Sequence, residues 1–201
     1  MSLNRLTEFT GISTEISHKT IIIRFIRPEI RSPLSVFVLN ELEEVLGEVE
    51  NAPENYEKII FTGKENVFAS GADLREIAEI NEKTAKKFAR RGQSLMNRIA
   101  GLKQITIAAI NGFCFGGALD LVLACDQRIA APNAIFSHPG VNLGIITGWS
   151  GTQRLPRLIG EGNALEMLFT AKRIDAIEAK RIGLIDEIAE NPLEVSINFT
   201  K

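Results

Sequence analysis

The chain has 201 residues, of which 23 are Lys or Arg and 25 are Asp or Glu, so its formal net charge is −2. This length suits one domain, residues 1–201, with a substantial core, and the lack of a basic block argues against nucleic acid as a partner. The apolar runs are too short and too interrupted to span a membrane, and the opening MSLNRLTEF lacks the apolar core of a signal peptide. We expect a cytoplasmic protein with no membrane partner.

The two cysteines, Cys114 and Cys125, lie in apolar contexts without the C-x-x-C spacing of a redox or metal motif. We therefore expect neither a disulfide framework nor a metal site. No base stands at a recognisable spacing from Cys114, so a packing role is expected for it rather than a nucleophilic one.

The first third of the chain predicts two strands, a helix and a third strand. Residues 12–18 and 20–25 are rich in β-branched residues and close enough in sequence to form a hairpin. Apolar residues then recur at helical spacing over 34–49, with Ser32 as the predicted N-cap. Residues 58–62 form the next predicted strand.

A run of small residues marks the next segment. Residues 67–74 pass from apolar residues through Ser-Gly-Ala-Asp into a short predicted helix, and small side chains there leave the backbone open to a ligand. A longer helix is predicted over 83–100. Its Lys and Arg residues are interpreted as a solvent-exposed face rather than a binding patch.

The central stretch, residues 105–124, carries the most chemical information. Residues 105–110 read as a buried strand that ends at Asn-Gly, and the Gly pair at 116–117 opens a predicted helix of apolar residues. A buried helix start presents unpaired N–H groups that suit negative charge. Asp120 lies one turn into this helix among apolar residues, where an unpaired charge is costly, so it must have a partner or a function.

The remaining segments predict alternating short strands and helices. Strands are predicted at 127–131, 134–137 and 184–188, helices at 151–159, 164–171 and 176–181, a Gly-bearing loop at 141–150, and an extension of uncertain structure at the end. This alternation predicts an α/β fold.

Three segments carry a resemblance to a known family. FASGADLREI at 68–77, AAINGFCFGGALDL at 108–121 and GWSGTQRLPRLIG at 148–160 occur in the order and at the separations of the enoyl-CoA hydratase/isomerase, or crotonase, family. The chain resembles that family from about residue 12 to residue 188.

The resemblance implies a spiral of repeated ββα units that binds an acyl-CoA thioester, with coenzyme A as part of the substrate and no separate cofactor. It places the two backbone N–H donors of an oxyanion hole on Ser70 and Gly117, where they would stabilise the thioester enolate. It also implies a homo-oligomer, with a trimer-based assembly as the expectation. Neighbouring motif positions are expected to contact the substrate: Ala69, Gly71, Ala72, Asp73, Gly116 and Gly140.

The catalytic carboxylates depart from the family pattern. Family hydratases use two, because hydration needs one proton removed and another delivered. The first maps to Asp120, where the hydratases carry Glu, and Asp is shorter by about 1.5 Å. The second belongs to a segment that reads F-x-x-P-E in hydratases, and here Pro139 is followed by Gly140.

Two interpretations follow from this departure. In the first, Asp120 is the lone carboxylate of an active site, with His138 or a water in place of the second, and the chemistry is isomerisation or hydrolysis rather than two-carboxylate hydration. In the second, the fold persists as a catalytically weak acyl-CoA-binding or structural subunit, and Asp120 is paired with Arg128 or a neighbouring N–H group.

Three other residues have both a functional and a structural interpretation. His138 could face the site or be a hydrogen-bonded residue at the end of a strand. Trp149 stands where the family has small residues and could narrow the acyl pocket, or be a partly buried loop aromatic. Arg31 follows the second strand where the family contacts the CoA phosphates. Because the chain stops soon after residue 188, we also expect it to lack the family's C-terminal helical segment.

Overall fold

The structure, a computed structural model, describes residues 9–200. None of the helices in this range is both long enough and apolar enough to cross a membrane. The strands are β1 (Ile12–Ser17), β2 (Thr20–Phe25), β3 (Lys58–Thr62), β4 (Val67–Ala69), β5 (Ile105–Ile110), β6 (Phe113–Phe115), β7 (Gln127–Ala130), β8 (Ile135–Ser137), β9 (Ile174–Asp175) and β10 (Glu187–Ile188). The helices are α1 (Val36–Asn51), α2 (Leu74–Ala78), α3 (Glu82–Ala100), α4 (Gly117–Val122), α5 (Gly151–Ile159), α6 (Glu161–Thr170), α7 (Ala176–Arg181) and α8 (Pro192–Asn198).

The strands form two sheets. The larger has the order β1-β2-β3-β5-β7-β10 and the smaller has the order β4-β6-β8-β9. β1 and β2 are the antiparallel hairpin predicted from the sequence, and β2, β3, β5 and β7 run parallel to one another. Each of β3, β5 and β7 is followed by a short strand of the smaller sheet, so the chain repeats a two-strand unit. The predicted α/β fold class is confirmed.

The central strands are apolar on both faces because both faces are covered. Ile22, Ile60 and Ile107 form a cluster on one face, and Leu193 and Phe199, in and just after α8, pack against that cluster. The opposite face packs against α1 and α3 in the main core. Continuous runs of Ile are typical of parallel strands buried in this way.

Helix α8 is held against the sheet by a buried lysine. Lys58 Nζ, at the start of β3, donates to the carbonyl oxygens of Ser196 (3.1 Å), Ile197 (2.7 Å) and Phe199 (2.7 Å). A cation at the C-terminal end of a helix satisfies carbonyl groups that the helix leaves unpaired. The sequence predicts no definite structure for the last residues. In the structure they form helix α8, which packs against the larger sheet.

Two sequence predictions need correction, and three strands were not predicted. The N-cap of α1 is Ser35, whose hydroxyl accepts from Val38 N–H, and not Ser32. Strands β4, β6 and β9 were missed because two or three residues are too few to show a strand period. The closing strand is limited to Glu187–Ile188 instead of spanning residues 184–188.

Asn111 links the β3–β4 and β5–β6 connections, which both lead from the larger to the smaller sheet. It follows β5, and its Oδ1 accepts from Gly63 N–H at the end of β3 (2.9 Å). Its Nδ2 donates to the carbonyl oxygens of Glu65 (2.8 Å) and Val67 (3.2 Å) in the β3–β4 turn. The amide group therefore fixes where β4 and β6 begin relative to each other, and the loops after these two strands form the candidate site.

Candidate active site

The two Gly-bearing motifs are in direct contact. Gly71, after β4, has φ +83°, and a Cβ atom placed on it would lie 2.5 Å from Gly117 N and 2.6 Å from Phe115 O. No side chain fits in this gap, and a positive φ is strained for other residues. Ala69 is fully buried at the end of β4. Gly71 therefore lets the Ser70 segment lie against the start of α4.

The backbone N–H groups at this contact differ in their partners. Gly117 is the first residue of α4, preceded by Gly116 with φ 57°, and its N–H makes no hydrogen bond within the described part of the chain. Ser70 N–H donates to Ser32 O at 3.3 Å, which is longer than a typical N–H···O bond. Gly117 N–H is therefore an unpaired donor within the described residues. Ser70 N–H is held in a weak hydrogen bond, in which a stronger acceptor can replace the Ser32 carbonyl oxygen.

Asp120 lies in α4 with 1% of its surface exposed. Its Oδ2 accepts a hydrogen bond from Thr147 Oγ1, and its Oδ1 lies 3.3 Å from His138 Nε2. Oδ1 is also close to the first residue of α5, because a Cβ atom on Gly151 would lie 2.2 Å from it. The positive end of a helix dipole stabilises a carboxylate at such a position.

His138 follows β8 and is 3% exposed. Its 3.3 Å separation from Asp120 is an ion-pair distance, but neither His138 Nε2 nor Asp120 Oδ1 makes a hydrogen bond of acceptable geometry within residues 9–200. Buried polar atoms without such bonds are uncommon and costly. The arrangement places two groups able to exchange protons side by side in an enclosed space.

The structure leaves no space for a side chain at residue 140. A Cβ atom on Gly140 would lie 2.8 Å from Ile145 O, because Ile145 N–H donates to Gly140 O and closes a turn. Arg128, the alternative partner proposed for Asp120, instead pairs with Asp186 at 2.8 Å. Its Nη1 donates to a backbone carbonyl, so that pairing is not available to Asp120.

Trp149 is buried beside the start of α4. It is 2% exposed, and a Cβ atom on Gly117 would lie 2.5 Å from its ring carbons Cε3 and Cζ3. Cys114, in β6, is fully buried, and burial raises the pKa of its thiol well above the usual value. A thiol in this environment packs as an apolar group, as the sequence analysis expects.

An open cavity of about 500 Å³ lies on the outer side of the Ser70 segment. Ser70, Ala72, Asp73, Arg31 and Arg173 are among its lining residues. Both arginines are exposed. The Arg173 guanidinium lies over the Phe115 ring, 5.5 Å from its centroid.

Asp73 has a structural role at this cavity. It caps α2 by accepting from Arg75 N–H at 2.9 Å, and it forms an ion pair with the Arg75 side chain at 2.6 Å. The hydrogen bond from the Arg75 side chain lowers the pKa of the Asp73 carboxyl group. The exposed cations Arg31 and Arg173 therefore line the cavity beside Asp73, whose negative charge is already balanced by the ion pair with Arg75.

The predicted residues fall into two neighbouring groups. The group around the start of α4 comprises Gly71, Gly116, Gly117, Asp120, His138 and Trp149, whereas the three atoms nearest to a Cβ placed on Gly140 all belong to Ile145. The open group lines the cavity and comprises Arg31, Ser70, Ala72 and Asp73, with Ala69 buried behind it. Asp120, Gly117 and Trp149 are not among the residues that line the cavity.

Sequence reasoning missed two residues of this region. Thr147 lies in a Gly-bearing loop without periodicity, and only the fold brings it to Asp120, 27 residues earlier. Arg173 follows α6, and its position over Phe115 likewise depends on long-range packing. An uncharged hydroxyl in a loop and a single surface arginine carry no pattern from which either role could be predicted.

Comparisons with known proteins show which family this chain resembles in sequence and fold. A model of the enoyl-CoA hydratase/isomerase family matches residues 15–196. The short-chain-enoyl-CoA hydratase of Clostridium acetobutylicum is 39% identical over 183 residues, which cover 91% of this chain and 70% of that protein. The crotonyl-CoA hydratase of Syntrophomonas wolfei is 38% identical, with coverage of 90% and 70%.

Solved structures show the same similarity. The enoyl-CoA hydratase from Bacillus anthracis has a TM-score of 0.85 and 38% identity, covering 94% of this chain and 73% of that one. DspI of Pseudomonas aeruginosa has a TM-score of 0.88 and 29% identity, covering 97% and 79%.

Replacing Thr147 with valine tests the hydrogen bond to Asp120. The change leaves the buried Oδ2 atom without this donor, and an unsatisfied buried acceptor costs about 1–3 kcal/mol. We expect the free energy of unfolding, measured by urea titration, to fall by that amount. Thr147→Ser keeps the hydroxyl and is the matched control, with a smaller expected loss. Equal stability of the valine variant and the unchanged protein would show that this hydrogen bond does not contribute.

Proposed function

The chain belongs to the enoyl-CoA hydratase/isomerase family of enzymes, and we propose that it binds an acyl-CoA thioester and stabilises the thioester enolate at Gly117 and Ser70. The observation that carries the proposal is the contact of the two Gly-bearing motifs. It brings Gly117 N–H, which has no partner within residues 9–200, beside the Ser70 segment, and Gly117 precedes the buried Asp120 by three residues. Fixed donors aimed at a developing oxyanion contribute about 3–4 kcal/mol each.

The thioester oxygen takes the place of the Ser32 carbonyl oxygen as acceptor for Ser70 N–H. That bond is 3.3 Å long, and an enolate oxygen carries negative charge, so the exchange favours the ligand. The coenzyme A part of the substrate lies in the open cavity, where Arg31 and Arg173 meet its phosphates. No separate cofactor takes part.

Asp120 then acts as a proton shuttle. Its carboxylate takes a proton from the α-carbon of a 3-enoyl thioester, and the electron pair of that C–H bond moves into the thioester group, forming the enolate. The resulting carboxylic acid returns the proton to the γ-carbon. The double bond moves to the α,β position, and no atom is gained or lost, so a single acid–base group is sufficient.

Standard hydration is less well supported by this site. It needs a second carboxylate, and the turn at Gly140 leaves no space for a side chain there. His138 provides a second proton-exchanging group, 3.3 Å from Asp120. The pair can activate a water molecule for thioester hydrolysis, which is the second reaction that this site supports.

An alternative is a catalytically weak acyl-CoA-binding or structural subunit. The observation that favours it is the burial of Asp120, which is 1% exposed and does not line the open cavity. Turnover therefore requires the loop around Thr147 to move enough for the acyl group to reach Asp120, with the Trp149 ring still buried. A chain in which this loop stays closed would bind the thioester without converting it.

A panel of enoyl- and acyl-CoA substrates separates these functions. Mass spectrometry detects hydration and thioester hydrolysis, and chromatography detects isomerisation, which leaves the mass unchanged. We expect isomerised or hydrolysed products. Hydration as the main reaction would contradict the proposed chemistry, and binding without conversion of any substrate would support the binding subunit.

Asp120→Asn tests the assigned acid–base group. We expect turnover to fall at least about 100-fold, the typical contribution of general acid–base catalysis, while calorimetry shows that butyryl-CoA still binds. Glu187→Gln, which neutralises an exposed carboxylate on β10, is the control and is expected to retain turnover. Unchanged turnover of the Asp120 variant would place the chemistry elsewhere.

Arg31→Ala and Arg173→Ala test the proposed position of the phosphates. Each change removes a cation from the cavity, and we expect the Kd for free coenzyme A to rise about 10-fold, which corresponds to about 1.4 kcal/mol. Arg90→Ala removes an exposed charge from α3, outside the cavity, and serves as the control. Equal effects of all three changes would indicate a general charge effect and exclude a phosphate site.

The family resemblance also implies a trimer-based homo-oligomer, and the surface of α6 is suited to such a contact. Leu165 and Phe169 lie four residues apart on one face of α6 and are 53% and 62% exposed. We expect light scattering to give a mass that is a multiple of 22.1 kDa. A monomeric mass at micromolar concentration would contradict this assembly.

A further inference from the structure

Trp149 is a buried anchor at the end of an exposed loop. Residues 141–146 and Gly148 are exposed, whereas Trp149 is 2% exposed. The loop backbone is fixed on one side by Gln93, whose Nε2 donates to Gly148 O at 2.8 Å. The indole Nε1 has no hydrogen-bond partner within residues 9–200, so packing rather than hydrogen bonding holds the ring.

Two glycines on two helices form the slot that holds this ring. A Cβ atom on Gly92, in α3, would lie 2.1–2.4 Å from Cδ1, Cγ and Cδ2 of Trp149. A Cβ atom on Gly117, in α4, would lie 2.5 Å from Cε3 and Cζ3. The ring therefore packs against both helices at the positions of these two glycines, one of which, Gly117, carries the proposed donor N–H group.

Phe88 connects this slot to a second, larger cavity. It lies one helical turn before Gly92, and its ring centroid is 5.6 Å from that of Trp149. Phe88 also lines an open cavity of about 790 Å³, with Val36, Ile80 and Thr84 and with six charged residues around them: Glu43, Arg75, Glu76, Glu79, Lys87 and Arg91. Trp149 does not line that cavity. The two rings therefore stand between the start of α4 and the cavity beside α1, α2 and α3.

We infer that Trp149 determines the acyl-chain length that the site accepts, by blocking the path from Gly117 to the larger cavity and restricting the substrate to short-chain acyl groups. This inference rests on the proposed function, because it takes Gly117 N–H as the donor to the thioester oxygen. An acyl group that extends from that oxygen meets the indole ring within a few carbons.

Packing stabilises the buried position of the Trp149 ring. The indole is buried against two helices, and an apolar ring of this size gains much of its stabilisation from such contacts. A longer acyl chain would have to expel the ring from the slot. If the ring is removed by mutation, the chain can extend past Phe88 into the larger cavity, whose Val36 and Ile80 offer apolar contacts.

The test compares two saturated thioesters that differ in chain length, butyryl-CoA and decanoyl-CoA, with free coenzyme A as reference. Calorimetry of the full chain gives the ratio of the decanoyl-CoA Kd to the butyryl-CoA Kd. For the unchanged protein we expect a ratio above one. Trp149→Ala should lower this ratio at least about 10- to 200-fold, the range by which an apolar pocket discriminates a single methylene group.

Trp149→Phe is the matched control, because it keeps an aromatic ring in the slot and removes the indole N–H group. It should keep the ratio of the unchanged protein, which would show that ring volume and not the N–H group sets the limit. Trp149→Leu replaces the alanine variant if circular dichroism shows that the latter is unfolded.

Each outcome decides the inference. An unchanged ratio in the small variants, or tighter binding of decanoyl-CoA by the unchanged protein, would overturn the role of Trp149 and leave the proposed function intact. If the unchanged protein binds neither thioester nor coenzyme A, the proposed function fails, and this inference fails with it.

Discussion

The contact between Gly71 and Gly117 is the constraint on which the candidate site depends. At this point the loop after β4 and the start of α4 approach so closely that a single carbon atom on Gly71 would lie 2.5 Å from Gly117 N. Asn111, which follows β5, helps to fix this approach, because its side chain forms hydrogen bonds with the turn after β3. The two-strand repeat of the fold thus brings two backbone segments, about 45 residues apart, to one place.

A second constraint is the burial of Asp120 in an apolar helix. A buried carboxylate requires compensation, and the structure supplies the Thr147 hydroxyl, the start of α5 and the neighbouring His138. The compensation is incomplete, because Asp120 Oδ1 and His138 Nε2 make no well-formed hydrogen bond to any residue in the described range 9–200. Polar groups with incomplete hydrogen bonding are typical of functional sites, where some stability is lost in favour of chemical function.

Much of the fold could be predicted from the sequence because its central elements have strong local patterns. The Ile-rich strands β2, β3 and β5 and the periodic helices α1 and α3 are found close to where the sequence predicted them. The predictions failed where an element is too short to show a period, or where more than one residue can serve as the helix cap. Strand β6 has three residues, and the cap of α1 moved from Ser32 to Ser35 because the 3₁₀ turn at Pro28–Ile30 and left-handed conformations at Arg31 and Ser32 delay the helix.

The sequence by itself determined the family, the position of the two Gly-bearing motifs and the presence of one carboxylate among apolar residues, because each of these is a contiguous pattern. Only the tertiary structure decided what surrounds that carboxylate and that backbone. His138 and Thr147 reach Asp120, and Trp149 enters the slot between Gly92 and Gly117, through contacts between residues 18 to 57 positions apart. Such contacts depend on how strands and helices pack, and no local propensity or period encodes them.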